Sequence, residues 1–145
     1  MQLTQFYLAT AALFSTALAI PAGKPTGGPA SAQVTIYSGP YTCASADSPP
    51  PKDGSAGTAK VVNIAETQCV IVNIPFGGAF TATLTAPPKT GAPGCYIQIF
   101  SQQGCGVTLQ NQYHGFPFDG TTLGSTVGCA SPPVQSYGAL QITCG

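Results

Sequence analysis

Apolar residues recur at every second position in several short stretches of the chain, the period of a strand with one face buried. Val34 and Ile36 alternate with polar neighbours in Val34-Thr-Ile-Tyr-Ser38, and Ile97 and Ile99 do so in Ile97-Gln-Ile-Phe-Ser101. Leu140 and Ile142 repeat the pattern in Gly138-Ala-Leu-Gln-Ile-Thr143, and Phe80-Thr-Ala-Thr-Leu-Thr85 is a further strand-like run. Lys60-Val-Val-Asn-Ile64 and Cys69-Val-Ile-Val-Asn-Ile74 are rich in β-branched residues, which pack well on a pleated surface. Turn formers separate these runs: Ser48–Gly54, Pro75–Gly78, Pro87–Gly94 and Phe116–Gly120. After Ala19 no window supports a helix longer than a turn, so the pattern predicts an all-β domain.

The runs are not independent. Val34–Ser38 and Ile97–Ser101 share an order of apolar, polar, apolar, aromatic and Ser at an offset of about 63 residues. Cys43 and Cys105 follow them at a similar offset, as do Cys69 and Cys129 further on. Each copy then closes with a strand-like run. This periodicity is the mark of a duplication. It divides a single domain, 33–145, into similar halves, 33–86 and 95–145, joined by Pro87–Gly94.

The first residues read differently. An apolar run from Phe6 to Leu18 ends in Ala17-Leu18-Ala19, small residues where a signal peptidase cuts. Residues 1–19 are therefore expected to be a signal peptide and the mature protein to be secreted and extracellular. The run is shorter than the roughly 20 apolar residues of a membrane span, and no comparable run follows. Residues 20–32 are Pro-, Gly- and Ala-rich and are expected to form a flexible lead.

Export changes how the six cysteines are read. An even count in an exported chain points to three disulfides. Zinc is not expected, because no Cys-x-x-Cys occurs and His114 is the only histidine. Equivalent cysteines in equivalent halves suggest Cys43–Cys69 and Cys105–Cys129, which leaves Cys95–Cys144 to pin two strand ends. Copy one carries Ala32 and Ala86 at the places matching that last pair. No Asn begins an N-glycosylation sequon.

Charge narrows the partners. The chain has four Lys, no Arg, four acids and no net charge, with 6% charged residues against roughly 25% in an average soluble domain. A nucleic-acid partner is not expected, since four scattered lysines make no basic footprint. Neutral wall polysaccharide or a host extracellular protein fits such a surface better.

Two tandem units of a strand ending aromatic-Ser, a turn with Cys, and a late strand resemble small secreted cysteine-rich proteins of filamentous fungi, some of them βγ-crystallin-like. Val34–Ser38 with Cys43, and Ile97–Ser101 with Cys105, carry the resemblance. Tyr37 and Phe100 match the first aromatic of the crystallin hairpin, cysteine stands in place of the second, and only copy two keeps a glycine, Gly106. The resemblance implies a disulfide-stabilised, two-repeat Greek-key β-sandwich and an effector-like role in virulence. It does not carry calcium over: Phe76–Gly78 and Pro133–Ser136 offer no carboxylate. No cofactor or metal is expected.

Candidate chemistry is sparse. Asp47, Asp53, Glu66 and Asp119 are the acids, and Asp47 and Asp53 flank a Pro-rich loop rather than face one substrate. His114 and Asp119 make half a nucleophilic triad, but no Gly-x-Ser-x-Gly elbow accompanies them. An enzyme is not expected, and no catalytic residue is assigned. The most distinctive stretch is Tyr113–Gly120, a candidate contact loop whose residues are Tyr113, His114, Phe116, Phe118 and Asp119. Copy one is expected to place the Pro/Asp/Gly loop 48–57 there instead. Phe116 and Phe118 serve either to plug the end of the sandwich or to present a contact surface. The expected function is a secreted, cysteine-rich, non-enzymatic binding protein. The alternatives are an antimicrobial or killer-toxin-like protein, and a cell-wall polysaccharide hydrolase.

Overall fold

The computed structural model describes residues 26–145; the expected signal peptide and residues 20–25 of the lead lie outside the described residues. Eight strands follow one another: β1 (Ser31–Tyr37), β2 (Ala59–Ala65), β3 (Val70–Ile74), β4 (Ala79–Ala86), β5 (Cys95–Phe100), β6 (Tyr113–Pro117), β7 (Thr126–Ala130) and β8 (Tyr137–Cys144). The described chain is all-β. Its strands make two four-stranded antiparallel sheets, ordered β2-β1-β4-β7 and β3-β8-β5-β6.

The order carries the duplication further than the sequence did. Each sheet takes its first, second and fourth strands from one half and its remaining edge strand, the third, from the other half. The inward alternate residues merge into one core. Val34, Ile36, Phe80 and Leu84 of the first sheet meet Ile97, Ile99, Leu140 and Ile142 of the second, all nearly or fully buried. Complete burial of such a side chain is worth roughly 1.5–3 kcal/mol, so the alternation read from the sequence supplies the core.

The exchanged strands redirect two disulfides. The bonds are Cys43–Cys129, Cys69–Cys105 and Cys95–Cys144. The expected Cys43–Cys69 and Cys105–Cys129 are corrected. Cys43 and Cys105 each sit after the first strand of a half, and Cys69 and Cys129 at or beside the third. Because the third strands cross over, each loop cysteine meets the third-strand cysteine of the other half. Both bonds bridge the halves, and with sequence separations of 86 and 36 each is worth on the order of 4 kcal/mol in the chain-entropy picture. Cys95–Cys144 forms as expected, between residues directly opposed on β5 and β8. Its match in copy one is Ala32 opposite Leu84; a register shift beside Ser31 moves Ala86 out of that place.

Two more expectations change. β1 begins at Ser31, and the end of the lead is bound: Ala30 is buried, its N–H donates to Glu66 Oε1 at 2.7 Å, and its carbonyl accepts from Glu66 N–H at 2.9 Å. Residues 113–117 form the edge strand β6 rather than a loop. Their counterpart in the first half is β2, which likewise pairs with the half's first strand, and not the loop 48–57.

Candidate functional site

Directly opposed residues of an antiparallel pair point to the same side of the sheet, so the register sorts the distinctive β6 residues. Phe116 opposes the core residue Ile97 and turns inward, its ring edge-on to Phe80 at 5.2 Å. Phe118 is 7% exposed and belongs to the core. These two phenylalanines close the sandwich. His114 opposes Ile99 at the exposed sheet edge and lies edge-on to Tyr137, with centroids 5.9 Å apart. Burial raises the Tyr137 hydroxyl above its ordinary pKa, and that hydroxyl donates to Pro133 O at 2.8 Å.

Asp119 is taken up by the turn between β6 and β7. Its carboxylate accepts from Thr126 N–H at 2.8 Å and Thr126 Oγ1 at 3.3 Å, while its own N–H donates to Thr126 O. No hydrogen bond joins it to His114 among the described residues. Asp53 is fully exposed and accepts from the Ser55 hydroxyl and N–H, which hold its carboxyl below the usual range. Glu66 caps Ala30. Asp119, Asp53 and Glu66 thus each have a local task, and no group of three His, Cys, Asp or Glu gathers among the described residues.

Only Tyr113 of the candidate loop faces outward on the second sheet, and the structure groups it with residues that the sequence reading passed over. On β5 the inward residues are Cys95, Ile97 and Ile99, so Tyr96, Gln98 and Phe100 point out. Thr143, Gln141 and Ala139 of β8 oppose them on one side, and Pro117, Gly115 and Tyr113 of β6 on the other. Tyr96 and Tyr113 are 44% and 46% exposed. Tyr113 is braced on Phe100 at 5.7 Å. Gln98 Oε1 accepts from Gln141 Nε2 at 2.8 Å and Thr143 Oγ1 at 3.2 Å. The signal that could have found this face was the alternation itself: it names the outward residues of β5 and β8 as readily as the core.

The outward face of the first sheet is different. Gln33, Thr35, Thr81, Thr83 and Thr126 line it, and the Ser38–Thr58 connection folds across it. Asp47, Pro49 and Lys52 of that connection wall a cleft of about 290 Å³ over these threonines. Gly128 of β7 lets the loop come close, since a Cβ there would lie 2.5 Å from Ala46 O. Cys43–Cys129 fastens the loop to the same strand.

Comparison with protein-family models, with curated proteins and with solved structures finds no match for this chain.

Proposed function

We propose that the protein is an exported, effector-like binding module of the small secreted fungal kind, which contacts host or wall components without turning them over. Its fold on this reading is a βγ-crystallin-like pair of Greek keys. The spatial order 2-1-4 in each half, with the third strand placed on the facing sheet, supports the Greek-key part.

The observation that carries the reading is the complete pairing of the cysteines. All six form disulfides and no free thiol remains, a state that persists in an oxidising, extracellular compartment. Near-absence of charge and the separate local roles of Asp119, Asp53 and Glu66 favour contact over catalysis. No helix among the described residues is long and apolar enough to cross a membrane.

The test is expression of the full chain, with its own first residues, in a secreting eukaryotic host. The expected outcome is a thiol-free protein in the culture filtrate that begins at Ile20. It should co-sediment with plant or fungal wall material and release no reducing sugar. Retention in the cytosol, or steady sugar release that His114→Ala abolishes, contradicts the reading.

A further inference from the structure

We infer that the outward face of the second sheet, from Tyr96 to Tyr113, is a track for an extended, neutral, ribbon-like glycan chain of the β-1,4-glucan type. The inference rests on the binding role proposed above and names its partner.

Three rows make the track. Thr143, Tyr96 and Pro117 form one end and Gln141, Gln98 and Gly115 the middle; at the other end Ala139 and Phe100 are buried and Tyr113 alone is exposed. Tyr96 and Tyr113 are both partly exposed, and both are held: Tyr113 against Phe100, and Tyr96 folded back over Gly94, where an added Cβ would meet its hydroxyl at 3.7 Å. The tyrosines lie four residues apart along the strands, about 13 Å at the usual rise. One sugar ring does not span that distance; a chain of several does.

The middle row lies low. Gly115 has no side chain, and a Cβ built on it meets nothing within 4 Å. Gln98 is drawn sideways toward Gln141 and Thr143. Its Nε2 hydrogens and Gln141 Oε1 have no protein partner among the described residues, so the floor keeps both donors and an acceptor for hydroxyls. Tyrosine rings at the two ends offer flat apolar faces to the C–H faces of sugar rings.

Charge selects the class of partner. β3, β5, β6 and β8 carry no Lys, Arg, Asp or Glu. Such a face gives no attraction to nucleic acid, anionic polysaccharide or an acidic headgroup, and it imposes no charge-desolvation cost on an uncharged polymer. A second copy or an apolar peptide would lay apolar surface on the amide floor and leave its polar groups unpaired. The open middle row clears a flat ribbon and places no side chain where it would grip an acetamido group, so the unsubstituted chain is the partner inferred.

The experiment is co-sedimentation of the purified full-length mature protein with microcrystalline cellulose, beside chitin and insolubilised polygalacturonate. The account expects retention on cellulose that soluble cello-oligosaccharide reverses. Tyr96→Ala and Gly115→Glu should each weaken retention about tenfold, and Tyr96→Phe should preserve it. Lys52→Ala, on the opposite face, should leave it unchanged. Thermal melting of each variant separates binding from folding; Gly115→Glu enters open space and should melt as the parent does. Absence of retention on cellulose overturns the inference, as does retention that Tyr96→Ala and Gly115→Glu do not alter, or preference for chitin or polygalacturonate. Co-sedimentation with wall material that is indifferent to Tyr96 and Gly115 sinks this inference alone and leaves the broader binding role standing.

Discussion

Ser38–Thr58 and Ser101–Gln112 make the same connection, first strand to second, in the two halves, with different chemistry. The first is longer, Pro-rich and charged, and lies across its own sheet with Asp47, Pro49 and Lys52 against the outward threonines. The second is shorter and uncharged, and is organised from within by Asn111, which is 5% exposed. Asn111 Nδ2 donates to Gly104 O at 2.8 Å and Gly106 O at 2.9 Å, while Oδ1 accepts from Gln102 N–H at 2.9 Å. Both loops cover the outward aromatic of their first strand, leaving Tyr37 and Phe100 at 3% and 1% exposure. Beyond that aromatic, Gln33 and Thr83 of the first sheet and Tyr96 and Thr143 of the second stay exposed, but only the longer loop walls a cleft over its sheet. The duplication thus supplies two equivalent scaffolds, and loop length and filling set what stands over each outward face.

The largest effect expected from this contrast lies at Asn111. Asn111→Ala strips partners from two carbonyls and an N–H and should cost about 2 kcal/mol, read by urea denaturation. Asp53→Ala in the other loop removes an exposed carboxylate whose two bonds to Ser55 water can replace, and should shift the midpoint far less. Equal effects at the two positions would break the contrast.

A smaller effect is expected at the turns into the fourth strands. The turn between β3 and β4 uses Gly77 at φ 91°, whereas that between β7 and β8 places Val134 at φ 57°. A β-branched residue there bears strain of roughly 1–2 kcal/mol. Val134→Gly should therefore raise Tm by a few degrees and Gly77→Val lower it, measured by differential scanning calorimetry. Opposite signs would place the strain elsewhere.

Six of the eight strands were legible because each pairs strict alternation or β-branched composition with flanking turn residues. The other two hid for physical reasons. β6 contains Gly115 and Pro117, which read as turn residues, yet an edge strand tolerates both. β7 is short and holds Gly128, required by the close approach of Ala46 O rather than by any turn. The strand exchange left no local trace, since periodicity records which side of a strand is buried and not which strand lies beside it. The repeat correctly matched a loop cysteine with a third-strand cysteine, and could not show that the pairs cross between halves. At the candidate site, composition drew attention to Tyr113–Gly120. Only the register reveals that Phe116 and Phe118 face inward while Tyr113 joins Tyr96 and Gln98.

The exchange of third strands is tested most directly by tryptic digestion under non-reducing conditions. Cleavage after Lys52, Lys60 and Lys89 puts Cys43, Cys69 and the remaining four cysteines on three separate peptides. The account predicts that all three stay linked in a single species, held by Cys43–Cys129 and Cys69–Cys105, until reductant is added. Release of the Cys43 and Cys69 peptides as a joined pair, free of the C-terminal peptide, would contradict it.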